Sequence, residues 1–366
     1  MTVKNDLPKP SGLSCADNCA KKINVSIFIF QKTGLYMIDN YNRNINYLRI
    51  SITDRCNLRC RYCIPKEGLS VLGHEDILKY EEILRIVNVA VKMGVEKVRI
   101  TGGEPLVRRE VVDFIARLAA ISGIKDISLT TNGILLESFA ALLFQAGIKR
   151  INISLDSLNP EKYSFITRGG DLKAVLRGID EVYRVGFHPI KINTVAIKGV
   201  NDDEILEFAR LSIEKPFHIR FIELMPMGKA GDRYEGRYLS NDVIRERIDK
   251  VFSLEPLPGK INNTDGPASI YRIGGASGVI GFISPISNHF CHTCNRLRLT
   301  ANGHLRACLL LDGEVNLREA LRRECSDEEL RDLIRSAVAR KPMQHDMSHD
   351  EDHLRKCAKE MSSLGG

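Results

Sequence analysis

Four times in this chain an amphipathic stretch stops at a glycine and passes straight into a short β-rich run. The glycines are Gly94, Gly123, Gly147 and Gly186, and the runs after them are 95–100, 124–127, 148–151 and 187–190. A glycine in that place supplies the left-handed residue that ends a helix. The stretches before them carry helical stripes: Ile83, Val87 and Ala90; Val111, Ile115 and Leu118; Phe139, Leu142 and Leu143; Val175, Ile179 and Val182. Helix and strand alternating at this interval specify parallel βα units, hence an α/β fold. With 366 residues the chain can bury one large core or two ordinary ones.

The strands have two unlike faces. Arg49, Ser51 and Thr53 alternate with Ile50 and Ile52, and Arg99 and Thr101 with Val98 and Ile100. Ser128 and Thr130 alternate with Ile127 and Leu129, Asn152 and Ser154 with Ile151 and Ile153, Lys191 and Asn193 with Ile190 and Ile192. Successive strand side chains point to opposite faces. One face is therefore apolar and meets the helices; the other is polar and basic. An ordinary α/β barrel fills its lumen with Val, Ile and Leu, so a polar lumen predicts a wide or incomplete barrel that holds a ligand. The plainer alternative is a half-exposed sheet, which repetition over five strands and the usual covering of both faces of a parallel sheet disfavour. Function in parallel barrels sits at the C-terminal strand ends. Here those ends run into a three-cysteine loop, into Gly102-Gly103-Glu104-Pro105, into 130–133, into 154–157 and, after a sixth strand over 217–224, into 225–228. Glycines at 102 and 103 let the backbone approach a ligand closely.

Cysteine supplies the chemistry, because six of the ten cysteines form two triplets. Cys56, Cys60 and Cys63 offer three thiolates, whereas a structural zinc site takes four ligands, usually from pairs two residues apart. In a cubane iron–sulfur cluster each of four irons wants a ligand, so three thiolates leave one iron open to a substrate or cofactor. A zinc knuckle with a distant fourth ligand is the alternative. Cys291, Cys294 and Cys308 form the second triplet, and on ligand count alone a zinc site completed by His289, His292 or His304 stays open. Arg296 and Arg298 lie between these cysteines and share a face if the segment is extended. Two guanidiniums beside a metal site suit a phosphate chain, although solvated charges give the same pattern. Close cysteines without a clear secretion signal read as metal ligands rather than disulfides and imply a reducing compartment. The net charge of +7 is mild and not gathered in one run, which argues against nucleic acid and fits an anionic substrate.

The first triplet is similar to the signature of radical S-adenosylmethionine (SAM) enzymes. It stands in Thr-Asp-Arg-Cys-Asn-Leu-Arg-Cys at 53–60, with Thr-Gly-Gly-Glu-Pro-Leu at 101–106, Cys-Asn-Arg-Leu-Arg-Leu at 294–299 and a final Gly365-Gly366. On these motifs the chain from about Ile38 onward resembles the GTP 3′,8-cyclase family, which opens molybdenum-cofactor biosynthesis. The resemblance implies an incomplete (β/α)6 radical-SAM TIM-like barrel over 37–270 and a C-terminal region, 271–366, carrying a second iron–sulfur cluster and the Gly-Gly tail. It implies that Cys56, Cys60 and Cys63 hold a [4Fe–4S] cluster with SAM on its open iron, and that Tyr62, Gly103, Ser154 and Met225 contact SAM. Arg49, Arg99, Thr130, Lys191, Arg296, Leu297 and Arg298 would contact GTP. Cys291, Cys294 and Cys308 would hold a second [4Fe–4S] cluster whose open iron takes the guanine. Gly365 and Gly366 would enter the active site as catalytic residues; the bland reading is a frayed end. The implied reaction is removal of the ribose 3′ hydrogen of GTP by a 5′-deoxyadenosyl radical, then bonding of C3′ to guanine C8. The implied partners are a reductant or electron-donor protein and a downstream cyclic pyranopterin monophosphate synthase, and a homodimer is one state the resemblance allows.

Residues 1–36 fall outside the resemblance. Lys21 and Lys22 before the apolar run 23–30 make a weak secretion signal with no small-residue cleavage site after it. The same leader holds Asp6 and Asp17 and no Arg, which counts against a mitochondrial presequence. A disordered arm, or a start at Met37, is expected. No apolar run reaches the length of a membrane span, so a cytoplasmic location is expected. The segment from Gln344 to His353 has little apolar content to dock it. Two other readings compete. A two-cluster radical-SAM peptide-modifying enzyme would need a peptide groove and another C-terminal cysteine spacing. A zinc-stabilised binding protein would bind no iron.

Overall fold

The computed structural model describes residues 36–228, 236–257, 266–345, 347, 357 and 359–364. Of the leader only Tyr36 is among them, and Gly365 and Gly366 lie outside them. One twelve-stranded sheet organises these residues. Its centre is β1 (Tyr47–Ser51), β2 (Lys97–Thr101), β3 (Asp126–Thr131), β4 (Arg150–Ser154), β5 (Ile190–Ala196) and β6 (Phe217–Glu223), parallel and in sequence order. Helices make the crossovers: α1 (Tyr80–Lys92), α2 (Val111–Ala119), α3 (Leu136–Gln145), α4 (Pro160–Thr167) with α5 (Leu172–Val185), and α6 (Ile205–Glu214). The four helix-ending glycines have φ of 108°, 101°, 110° and 99° at 94, 123, 147 and 186, a region that strains any side-chain-bearing residue.

The C-terminal half extends this sheet at both edges. After α7 (Asn241–Phe252) come β7 (Leu254–Pro256), β8 (Ser269–Ile273) and β9 (Val279–Ile283). Then follow β10 (Arg296–Leu299), β11 (His304–Arg306), β12 (Glu314–Asn316), α8 (Leu317–Arg322) and α9 (Asp327–Ala339). Strand β9 pairs parallel with β6, and β10 pairs parallel with β1. Antiparallel β8–β7 and β11–β12 finish the two edges. The sheet order starts at β12 and ends at β7, so the eight parallel strands stay an open, incomplete barrel. Short antiparallel strands are a common way to blunt such edges.

The core lies between sheet and helices. Ile50, Val98, Ile100, Leu129, Ile151, Ile153, Ile190 and Ile192 are buried against the helical stripes. One stripe position fails. Leu142 is 48% exposed, because α3 turns Leu136, Ala140 and Leu143 inward, and a residue one step before Leu143 is rotated about 100° away. On the other face the polar residues stand in register. Arg298, Arg49, Arg99 and Ser128 are neighbours across β10, β1, β2 and β3. Thr130, Asn152, Lys191 and His218 make a second row, and Ser154, Asn193 and Arg220 a third. No helix among the described residues is long and apolar enough to cross a membrane.

Candidate functional site

The first cysteine loop is moulded by the loops beside it. Leaving β1, Thr53 accepts the Gly103 N–H at 2.7 Å, and Arg55 accepts the Glu104 N–H at 2.8 Å. A Cβ at Gly102 would lie 2.7 Å from the Thr53 carbonyl, and one at Gly103 would collide with that of Arg55. The two glycines therefore bring their backbone against the cysteine loop itself, a tighter reason for glycine than ligand approach alone. Glu104 is buried and accepts from Leu106 N (3.0 Å), Thr131 Oγ1 (2.8 Å) and Asn132 N (2.7 Å). Burial outweighs those bonds and pushes its carboxyl up to about 7. Asn132 in turn reaches Asn57 at 2.7 Å and Cys56 Sγ at 3.8 Å. Asp156, at the end of β4, accepts the Tyr62 hydroxyl at 2.6 Å and Val195 N at 2.8 Å. That pair fixes the Tyr62 ring beside Cys63.

The second loop leaves β9 and is held by Glu223 at the end of β6. Glu223 is fully buried and accepts from Ile286 N (3.1 Å), Ser287 N (3.0 Å), Asn241 N (3.1 Å) and the Ser287 hydroxyl. A single 3-10 turn, Cys291–Thr293, follows, and β10 then carries Arg296 and Arg298 back alongside β1. Burial pushes the Cys294 thiol up, but Arg296 and Lys341 outweigh it and bring it down to about 6. None of the eight cysteines among the described residues is in a disulfide. Nor, among those residues, do three His, Cys, Asp or Glu side chains converge on a point that could hold one metal ion. Three thiolates that each serve a separate iron need no such convergence.

Both loops face one cavity of about 260 Å³. Tyr62, Cys63, Ser154 and Met225 line it, as do Cys291, Cys294 and Cys308 and the arginines Arg49, Arg99, Arg296 and Arg298. Cys56 instead lines a separate groove, together with Arg55, Arg59 and Leu364. Thr130, Lys191 and Gly103 are not among the residues lining that cavity; Lys191 is 6% exposed in the second polar row. Leu297 alternates to the helix side of β10 and packs in the apolar core, which leaves only its backbone for a ligand. The described residues of the tail are docked more firmly than its composition predicts. His345 is buried with Nε2 2.8 Å from the Pro285 carbonyl, and Met347, Cys357 and Leu364 form a small apolar cluster with Met227 and Leu310.

Positive charge dominates the lumen. Burial, then Arg220, Arg150 and Arg99, bring Lys191 down to about 5. Burial, then Arg220 and Lys191, bring His218 to about 3, and burial with Arg296 brings Arg298 to about 10. Among the described residues, Tyr47 Oη, Thr130 Oγ1 and Asn193 Oδ1 are buried without a hydrogen-bond partner. Unpaired buried polar atoms are costly and mark places where a ligand completes the bonding. Tyr47 and Arg220 line the cavity and escaped the sequence analysis, and Asn193, which alternation put on the polar face, lines it as well. For Arg220 the signal existed: His218 and Arg220 continue the period-two alternation into β6. Lys341 and Arg43, which reach the second loop from far along the chain, left no such signal.

The cavity stands at the seam of two family matches. Residues 50–212 match the radical SAM superfamily, and 217–347 match Molybdenum Cofactor Synthesis C. A GTP 3′,8-cyclase of Moorella thermoacetica is 50% identical over 330 residues, covering 90% of this chain and all of the relative. One from Thermodesulfovibrio yellowstonii is 51% identical over 332 residues, with the same coverage. In shape the chain is similar to Streptococcus suis SuiB bound to S-adenosylmethionine, at a TM-score of 0.55, 15% identity, and 89% and 74% coverage of this chain and that one. At that identity the likeness speaks for the fold alone.

Proposed function

Because this chain belongs to the GTP 3′,8-cyclase family of radical SAM enzymes, we propose how its own residues divide the work. The reaction is cyclisation of GTP to (8S)-3′,8-cyclo-7,8-dihydroguanosine 5′-triphosphate in molybdenum-cofactor biosynthesis, with two [4Fe–4S] clusters and SAM as cofactors. The observation that carries the assignment of roles is one cavity lined by Cys63 of the first triplet, by all three cysteines of the second and by Arg49, Arg99, Arg296 and Arg298. The donor sets fit their groups: three soft thiolates per site suit iron–sulfur ligation. Cys56, Cys60 and Cys63 would hold the first cluster, with Tyr62, Gly103, Ser154 and Met225 around SAM. Cys291, Cys294 and Cys308 would hold the second. When bound, the first cluster and SAM supply the one-electron chemistry that removes a ribose hydrogen.

The chain's contribution is positioning and exclusion. Arg49, Arg99, Lys191 and Arg298 clamp the triphosphate from two polar rows, supported by their register and by the positive field there. Thr130 supplies a hydroxyl that has no partner in the free protein. Arg296 and the second triplet face the guanine end, with the Leu297 backbone between. Ile222, Ile283 and Leu310 line the same cavity and keep water from the reacting carbons. An external protein reductant, delivery of product to a cyclic pyranopterin monophosphate synthase, a homodimeric state and a cytoplasmic site extend this reading.

Anaerobic protein given GTP, SAM and dithionite should form an isomer of GTP, equal in mass and distinct in retention. No such product, with SAM cleaved against an added peptide instead, would favour the peptide-modifying alternative.

Lys191 gives a pH signature. It is largely neutral at pH 8 in the free protein, since burial holds it at about 5. A bound triphosphate favours its charged form and raises that value. Affinity is then greatest at low pH and falls as pH rises from about 5 towards the raised value. Calorimetry at pH 8 in buffers of different ionisation enthalpy should show uptake of about one proton per GTP, lost in Lys191→Met. Arg298→Ala should weaken GTP binding by about 1.5–3 kcal/mol, the loss of a charge-assisted hydrogen bond, and leave SAM binding unchanged. Parental GTP affinity in that variant would make Arg298 a bystander.

A further inference from the structure

Every arm of the second triplet is tied to one short segment, 341–343, just past the end of α9. Lys341 Nζ donates to Cys294 Sγ at 3.4 Å, to the Arg296 carbonyl at 2.9 Å and to the Ala307 carbonyl at 2.7 Å. An ammonium offers three N–H donors, one for each of these three acceptors. No carboxylate among the described residues pairs with it, and the residue is 3% exposed. Its anionic partner is the Cys294 sulfur. Arg296 follows Cys294 by two positions and Ala307 directly precedes Cys308, so one ammonium closes the Cys294 arm onto the Cys308 arm.

The third arm is held from the other end of the chain. Arg43 Nη1 donates to the Cys291 carbonyl at 2.7 Å and to that of Met343 at 3.1 Å, and its Nη2 donates to the Pro342 carbonyl at 2.6 Å. Its charge is met by Asp39 at 2.6 Å. Arg43 thus fixes backbone, while Lys341 fixes backbone and also charges a sulfur.

We propose that Lys341 is a positioning residue of the second centre: it locks the Cys294 and Cys308 arms at ligand spacing and stations a fixed positive charge on the Cys294 sulfur. The proposal rests on the reading that this triplet holds an iron–sulfur cluster. A hydrogen bond and a positive charge at a ligating sulfur favour the reduced cluster and raise its potential.

The test compares Lys341→Gln, which keeps a donor and loses the charge, with Lys341→Met, which loses both. Redox titration followed by electron paramagnetic resonance reads each cluster separately. In both variants the potential of the second cluster should move negative, further in Lys341→Met, with that of the first cluster unchanged. Its iron should pass to a chelator about tenfold faster in Lys341→Met, the size of effect expected of an outer-shell partner. Arg43→Gln should hasten iron loss without moving the potential. If Lys341→Met does not fold, Lys341→Gln carries the comparison. Parental potential and parental iron retention in the Lys341 variants would overturn the proposal. A parent protein that binds zinc at this triplet, or only about four irons in all, would overturn the reading of the second centre and the proposal with it.

Discussion

Alanine at Cys291, Cys294 and Cys308 together should abolish cyclisation while leaving the first centre whole. The two triplets rest on separate supports. The first loop is packed by Gly102 and Gly103, tied through Glu104 to the β3 loop and steadied by Asp156 just past β4. The second is held by Glu223, Arg43 and Lys341. Removing the second set of thiolates touches none of the first loop's bonds. Reconstituted parent should bind about eight irons and the triple variant about four, one cubane each. SAM should bind and be cleaved in both, but only the parent should yield cyclic product, a loss of at least about four orders of magnitude if substrate alignment goes with the second centre. Retained cyclisation in the triple variant would remove the second triplet from the substrate site.

Deleting Gly365 and Gly366 should have a comparable effect on product and none on iron. Both glycines lie outside the described residues, but the turn before them is seated at the site. Met361 lines the central cavity, and Leu364 is buried beside the Cys56 groove. Residues without a Cβ can enter a space that any other side chain would fill. The shortened protein should keep both clusters, SAM binding and its thermal transition, and lose the cyclic product, with 5′-deoxyadenosine still formed. Parental product yield would show the tail to be a frayed end.

Much of this site was legible because it depends on period and spacing. Gly-terminated helices gave the βα units, and alternation along five strands gave the polar lumen. Alternation also foretold that Arg296 and Arg298 share a face, and by the same rule it puts Leu297 on the other. What escaped depends on contacts between distant segments. Arg43 meets Cys291 across 248 positions and Lys341 meets Cys294 across 47, and neither stands in a periodic run. Leu142 was misread because a helix with several adjacent apolar residues does not say which of them turns inward. The docking of the tail was missed because its seat is built by Met227 and Leu310, not by its own sequence.

The central claim is that this cavity holds the ribose of GTP so that the 3′ hydrogen is the one removed. GTP carrying deuterium only at C3′ tests it directly, with the 5′-deoxyadenosine from anaerobic turnover analysed by mass. The account predicts that the label moves into 5′-deoxyadenosine. Unlabelled 5′-deoxyadenosine, with deuterium kept at C3′ of the nucleotide product, would contradict it.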